Sequence, residues 1–271
     1  KATDNLIKAA KLFQKKSKSS NKLARTYFEL ASVNFISGND RLAMKWLSKA
    51  LKACPKKKDL TYVHILNSLG ILFSRMGVTK FGDAIDSFRK ALQIIKKLPK
   101  DEGLEAVIYN NWAMTERKAG NLRAAYEKSI SAIRFLKKEG NFCAQSGTTF
   151  CNAAWFSLQL GDIKRAHTIL KLGLDISKKY NDIYSLATLW RGFSWYYIET
   201  GDSHRAKEYL QKSIEFIQER QFKTALQTAN RDLCLINIEL GLLSEAEHNL
   251  STSWEIKKTR DDADAIELLV A

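Results

Sequence analysis

Residues that break regular structure are scarce in this sequence. Its 271 residues include only 2 prolines and 13 glycines. A β-sandwich or barrel needs a turn about every 8–12 residues, so this inventory excludes an all-β fold. Apolar residues make up 45% of the chain, which is enough for a core and excludes disorder. The composition therefore predicts an all-α protein.

Cysteine pairs and catalytic motifs are also missing. The 4 cysteines are far apart and form no C-x-x-C motif, which excludes the usual structural zinc and redox sites and indicates reduced, buried thiols. The sequence has no H-E-x-x-H, no G-x-S-x-G and no glycine-rich phosphate-binding loop. We therefore expect no enzymatic activity, no metal site and no cofactor.

Acidic residues are few in the first third of the chain. Residues 1–100 contain 22 Lys and Arg but only 6 Asp and Glu, whereas residues 101–271 contain 22 and 23. A positive surplus confined to one region attracts acidic partners or polyanions. A lysine-rich host proteome explains the surplus equally well, so both interpretations stay open.

What the sequence does contain is an internal repeat. Six alanines follow one another at intervals of 41, 41, 41, 40 and 40 residues, and a second small residue lies seven positions after each. Small residues seven apart share one helix face and let neighbouring helices approach closely. The alanines are Ala43, Ala84, Ala125, Ala166, Ala206 and Ala246.

Each repeat also carries a glycine upstream of its alanine, as at Gly38 and Gly161. A glycine in the left-handed conformation closes the last turn of a helix. Asn39 or Asp40, Asn121, Asp162 and Asp202 then supply N-caps for the next helix. The pattern predicts a stack of helical hairpins, each with a first helix, a glycine turn and a second helix.

These residues resemble the tetratricopeptide-repeat (TPR) family. The second repeat carries the family pattern best, with Leu69-Gly70, Phe73, Gly77, Ala84 and Phe88. The chain departs from the family in lacking most of the late prolines and in its period, which is 40–41 residues instead of the usual 34 or so. Long periods of this kind are similar to those of MalT-like bacterial regulators, peptide-sensing quorum regulators and kinesin light chain.

The resemblance implies an all-α, right-handed superhelical solenoid of TPR-like hairpins over residues 1–271. We expect a half-repeat at 1–20, six full repeats at about 21–258 and the start of a further repeat at 259–271. Because half-repeats flank the array, the chain is interpreted as a fragment of a larger protein. Its expected location is cytoplasmic.

The same resemblance implies a groove lined by the first helices, which binds a partner. Asparagines suit an extended peptide backbone, arginines suit carboxylates, and indoles supply anchoring area. The register of the family places Cys151 on this groove as well. The predicted partner-binding residues are Asn67, Asn110, Asn111, Arg117, Trp155, Arg191, Trp195 and Arg231.

Lysines recur near the ends of the second helices and form a predicted basic rim. Cations there are favoured by the helix dipole by about 0.3–1 kcal/mol each, which is sufficient to explain them. The rim is a candidate surface for a polyanion, although no recognised nucleic-acid module accompanies it. Its residues are Lys15, Lys16, Lys56, Lys57, Lys97, Lys138 and Lys179.

The predicted function is recognition of a protein or extended peptide, an acidic one in particular, by a regulatory or scaffolding module of a larger protein. A bacterial transcription or signalling regulator is one such parent, and its other domains are further expected partners. Nucleic acid and membrane are not favoured. Two alternatives stay open. One is polyanion binding through the rim, and the other is small-molecule sensing in an apolar pocket around the uncharged stretch 140–161. Close packing of neighbouring helices would also explain why this stretch is uncharged.

Overall fold

The computed structural model describes residues 2–55, 59–98, 103–139, 146–219 and 223–270. Within these ranges the regular structure consists of thirteen α-helices and one short 3-10 turn, Val78–Lys80. The helices are α1 (Ala2–Lys16), α2 (Asn21–Ile36), α3 (Asp40–Ala53), α4 (Leu60–Arg75), α5 (Phe81–Ile95), α6 (Leu104–Lys118), α7 (Leu122–Glu139), α8 (Ser146–Gln159), α9 (Ile163–Lys179), α10 (Ile183–Glu199), α11 (Ser203–Gln218), α12 (Lys223–Glu239) and α13 (Leu243–Val270).

After α1, the helices alternate as the repeat predicts. The first helices of the hairpins are α2, α4, α6, α8, α10 and α12, and the second helices follow each of them. Helix α13 continues across position 259, where the sequence predicts the start of a further repeat. None of the helices in the described part of the chain has both the length and the apolar character needed to cross a membrane.

The turn between the helices of each hairpin has the predicted geometry. The glycine after each first helix has a positive φ, between +73° and +107°. At the first of them, Gly38, the next amide, from Asn39, donates back to the Asn34 carbonyl at 2.8 Å and satisfies the end of α2. The Asn39 side chain then accepts from the Leu42 amide at 3.3 Å and caps α3, which decides between the two candidate caps.

The repeated alanines are buried, as the pattern predicts. Ala43, Ala84, Ala125, Ala166 and Ala206 have no exposed surface, and Ala246 is 4% exposed. The small residues seven positions later are also buried. A larger side chain at these positions would force neighbouring helices apart, because helix packing leaves no space for additional atoms.

The chain forms two compact units, and their boundary falls within α7. The first unit holds the chain up to Lys128, and the second extends from Ser129 to Ala265. In the first unit, one apolar core joins α1, α2, α3 and α4, and another joins α4, α5 and α6. In the second unit, a core of buried residues joins α11 and α12, and partly buried residues of α10 pack against it.

Candidate functional site

An apolar pocket opens between α2 and α4, which are the first helices of the first two hairpins. It encloses about 180 Å³. Buried Ala43 and Leu47 of α3 contribute to its lining, while Ile36 at its edge is 80% exposed. Sites for small molecules usually enclose roughly 300–1,000 Å³, so this pocket suits a single apolar side chain better. It is lined by Ala31, Ser32, Phe35, Ile36, Ala43, Leu47, Ser68, Ile71 and Leu72.

A positive cluster adjoins the pocket at the end of α4. The Arg75 guanidinium lies 4.6 Å from the centre of the Phe35 ring, and Phe35 also lines the pocket. Arg75 Nε lies 2.9 Å from the Asp40 carboxylate, and both side chains are about one-third exposed. The arginine is therefore held in place by an ion pair and by an aromatic face.

Two further cations, from α6, belong to this cluster. Lys118 Nζ donates to Ser74 Oγ of α4 at 3.4 Å. Burial lowers the pKa of Lys118, and the positive charges of Arg117 and Arg75 lower it further, against an opposing effect of Asp40. We call Arg75, Arg117 and Lys118 the cation cluster. Within this cluster, Asp40 is the acidic group that opposes the effect of the two arginines on Lys118.

The predicted asparagines lie on α4 and α6 in the same unit. Asn111 donates from Nδ2 to Asn67 Oδ1 at 3.1 Å. Asn67 is only 8% exposed, so it joins the two helices more than it faces solvent. Asn110 and Asn111 are half-buried. Among the predicted asparagines, these two retain the more accessible side chains.

In the second unit, predicted residues converge on an aspartate that the sequence analysis missed. Arg191 Nε and Trp195 Nε1 donate to Asp232 Oδ2 at 2.7 and 3.3 Å. The Arg191 guanidinium lies 4.5 Å from the Trp195 ring centre, and Arg231 lies 3.7 Å from the other oxygen of Asp232. Asp232 lies 41 residues after Arg191, close to the repeat interval, and this spacing is the signal that could have identified it.

Most of the uncharged stretch 140–161 lies in α8, and burial of this helix explains its lack of charge. Ten of its fourteen residues are buried, and added Cβ atoms on Gly147 and Gly192 would lie within 3 Å of Ser185 and Cys151, so α8 and α10 approach closely. Trp155 is half-buried, with its ring edge-to-face on Phe156. Residues 140–145 lie outside the described part of the chain.

Cys151 is not on a groove surface, in contrast to the expectation from the family register. It is buried, and its thiol donates to the Thr188 carbonyl at 3.0 Å. Burial raises the pKa of Cys151 to about 12, against the opposing effects of Arg191 and the Gly192 amide. Cys54 and Cys234 are likewise buried free thiols, as predicted, whereas Cys143 lies outside the described residues.

The predicted basic rim is described in part. Lys15, Lys16, Lys97 and Lys179 are exposed, and Lys179 Nζ lies 5.4 Å from the Tyr180 ring centre. Lys56 and Lys57 lie outside the described residues, and so does the side chain of Lys138 in α7. Over the described ranges, no three His, Cys, Asp or Glu side chains are placed to hold a metal ion.

Paired helices, glycine turns and buried small residues at one interval define the class of helical-repeat proteins. The family model of the tetratricopeptide repeat matches residues 24–57 and 190–219. These two segments are therefore tetratricopeptide repeats. No curated protein sequence matches it.

Solved structures share the fold at low sequence identity. The apo quorum sensor NprR from B. thuringiensis is 15% identical, with a TM-score of 0.73 over 94% of this chain and 70% of that one. Apo RapI is 15% identical, with a TM-score of 0.72 over 94% and 92%. The Rap conjugation gene regulator of plasmid pLS20, in complex with the Phr* peptide, is 17% identical, with a TM-score of 0.65 over 95% and 68%.

Proposed function

We propose that this chain is a peptide-binding regulatory module that holds an extended segment of another protein along its first helices. The observation that carries the proposal is that the apolar pocket and the cation cluster adjoin each other in the first unit. Phe35 lines the apolar pocket and also supports Arg75 of the cation cluster. A peptide with an apolar side chain beside an acidic one would satisfy both at once.

Each group of residues is proposed to have its own role. The pocket takes the apolar side chain, whose burial contributes about 1.5–3 kcal/mol. Arg117 and Lys118 attract the acidic side chain, while Arg75 is already oriented by Asp40. Asn110 and Asn111 offer amide groups to an extended backbone. The pocket volume supports a side chain of a polypeptide over a whole small molecule.

For the second unit, taken by itself, we propose Trp155, Trp195 and Arg231 as ligand contacts. Arg191 takes part through its ion pair with Asp232, which fixes the guanidinium against Trp195. The likeness to a Rap regulator in complex with a peptide supports this class of ligand. We further propose that the six repeats at about 21–258 serve as the regulatory domain of a larger cytosolic protein, such as a bacterial transcription or signalling regulator.

The test is a selection of phage-displayed random 12-residue peptides on the 271-residue chain. Enriched peptides are resynthesised with a fluorescein label, and their affinities are measured by anisotropy. We expect an apolar residue next to Asp or Glu among the enriched sequences. Ser68→Trp, which fills the pocket, and Arg117→Glu should each weaken binding by about 10–100-fold, equivalent to ~1.4–2.8 kcal/mol.

Lys171→Glu is the matched control, since Lys171 is an exposed cation of α9 in the second unit. It should leave the affinities within about twofold. All variants are checked for native helix content by circular dichroism. Failure to enrich any peptide would overturn the proposal, and so would equal binding to the wild type and both pocket-side variants.

A further inference from the structure

A second charged surface lies on the outward side of α3, away from its buried alanines. Ala43, Leu47 and Ala50 face the core, while Arg41, Lys45, Lys49 and Lys52 are exposed. The spacing of these cations, i, i+4, i+8 and i+11, places them on one helix face. Lys49 is held over the Trp46 ring, with Nζ 4.4 Å from the ring centre.

Helix α1 carries a matching row of cations. Lys8, Lys11 and Lys15 are exposed on it, and both α1 and α3 pack against α2. Lys8 and Lys11 precede Lys49 and Lys52 by 41 residues, which is the repeat interval. They therefore occupy equivalent positions on successive second helices.

The next second helix, α5, continues the same series. Lys90 follows Lys49 by 41 residues and is exposed. Along each helix, cations three or four residues apart lie about 5–6 Å from one another. We call this surface the lysine ladder. Its members are Lys8, Lys11, Lys15, Arg41, Lys45, Lys49, Lys52 and Lys90.

Among the described residues, no carboxylate lies within 4.0 Å of any ladder cation. Some cations of the second unit do have such partners, as Arg205 has in Asp202 and Lys207 in Glu245. Eight of the 22 cations in residues 1–100 lie on this surface.

Helix-dipole compensation explains only part of the ladder. Cations are favoured near the last turn of a helix and disfavoured near its first turn. Arg41 is the second residue of α3, and Lys45 lies in its second turn. Arg41 and Lys45 therefore differ from Lys15 and Lys52, the ladder members in the last turns of α1 and α3, which the dipole favours.

We propose that the lysine ladder binds the phosphate backbone of double-stranded nucleic acid without reading its sequence. A duplex carries about one negative charge per 1.7 Å of its axis and is rigid enough to contact several helices at once. A membrane surface is a poorer fit, because most apolar side chains of α1 and α3 are buried in the protein core, which leaves little apolar surface to insert into lipid. This site is separate from the residues proposed to bind peptide.

The experiment measures anisotropy of a fluorescein-labelled 20-base-pair duplex of arbitrary sequence with the 271-residue chain. The variant Lys8→Gln/Lys11→Gln/Lys45→Gln/Lys49→Gln removes four ladder charges. It should bind at least about tenfold more weakly at low salt, and the slope of log K against log salt should fall by about 3–4, since each phosphate contact contributes about 0.9. Changing the duplex sequence should have little effect.

The control variant Lys164→Gln/Lys171→Gln/Lys178→Gln/Lys212→Gln removes four exposed cations of α9 and α11. It has the same net charge as the ladder variant, and it should retain wild-type affinity within about threefold. An equal loss in both variants would show a net-charge effect and overturn the proposal. No duplex binding by the wild type would overturn it too, as would ladder-dependent binding seen only with phosphatidylserine vesicles or polyglutamate.

Discussion

Arg191 Nε donates to Asp232 Oδ2 at 2.7 Å and thereby joins α10 to α12. The Asp232 side chain is only 13% exposed, and it also accepts from Trp195 Nε1 at 3.3 Å. One carboxylate thus orients both an arginine and an indole that the sequence predicts as ligand contacts. The proposed second-unit contacts therefore depend on a residue that would not itself need to touch the ligand.

Replacing Asp232 should destabilise the protein. Asp232→Ala leaves the partly buried Arg191 and Trp195 donors without their shared acceptor, and loss of such charged hydrogen bonds costs about 1.5–3 kcal/mol each. We expect the free energy of unfolding to fall by roughly 2 kcal/mol in total, because residual solvent access compensates in part. Urea titrations followed by circular dichroism measure this difference.

Asp86→Ala provides the comparison. It removes an exposed ion pair with Arg89, in which both side chains are more than half exposed. Exposed pairs contribute about 0.2–1 kcal/mol, so the urea midpoint should change little. A loss in Asp232→Ala no larger than in Asp86→Ala would contradict a structural role for the Arg191–Asp232 bond.

Gly70 should be intolerant of even one added methyl group. A Cβ built on it lies 2.5 Å from Cε1 of Phe88, and that ring is fully buried. Gly70→Ala therefore displaces a ring that has no free space, and overpacking of this kind costs about 1–3 kcal/mol. Thermal unfolding should show a lower midpoint, and Phe88→Leu in the same chain should recover part of the loss.

Gly82→Ala is the matched change in the neighbouring helix. A Cβ on Gly82 meets no atom within 4 Å, and the residue is helical and exposed. Alanine reduces the conformational freedom of the unfolded chain, so this variant should gain about 0.4–1 kcal/mol. If Gly70→Ala lowers the stability and Gly82→Ala raises it, the loss at Gly70 is due to packing against Phe88. A stability change of the same sign in both variants would contradict this explanation.

The hairpin array was predictable because its signals are local or periodic. Gly38 needs a positive φ, and Ala43 must fit under a neighbouring helix, so each restricts the residue type at its own position. The repeat interval then extends these local restrictions along the chain. No knowledge of distant contacts is needed to infer the paired helices from them.

The site was less predictable because it depends on side chains of neighbouring repeats. The family register places Cys151 and Arg191 at equivalent positions, yet one is buried and the other is half-buried. The difference arises from Gly192, where close approach of α8 and α10 encloses the thiol. The pocket likewise requires side chains from three helices, whose relative placement the sequence pattern does not specify.

The pKa of Lys118 should be lower than that of an ordinary lysine. Burial and the positive charges of Arg117 and Arg75 lower its pKa. Arg117→Gln removes one of these charges, so the pKa of Lys118 should rise in that variant. Reductive ¹³C-methylation followed by NMR titration measures the shift, with Lys171 as an exposed reference. An unchanged Lys118 titration in Arg117→Gln would exclude the proposed coupling within the cation cluster.

The buried thiol of Cys151 should resist alkylation in the native protein. Its pKa, raised from 9.0 to about 12 by burial, leaves roughly one thiolate in 10,000 at pH 8, and thiolate is the reactive form. Because the pKa is raised on folding, the associated stability is present below pH 9 and is lost as the pH rises towards 12.

Iodoacetamide labelling at pH 8, measured by mass spectrometry, should be at least about 100-fold slower at Cys151 in native than in urea-unfolded protein. Gly192→Ala, whose Cβ would lie 2.8 Å from the sulphur, should loosen this packing and accelerate labelling. Equal native and unfolded rates in the wild type would contradict the burial of Cys151.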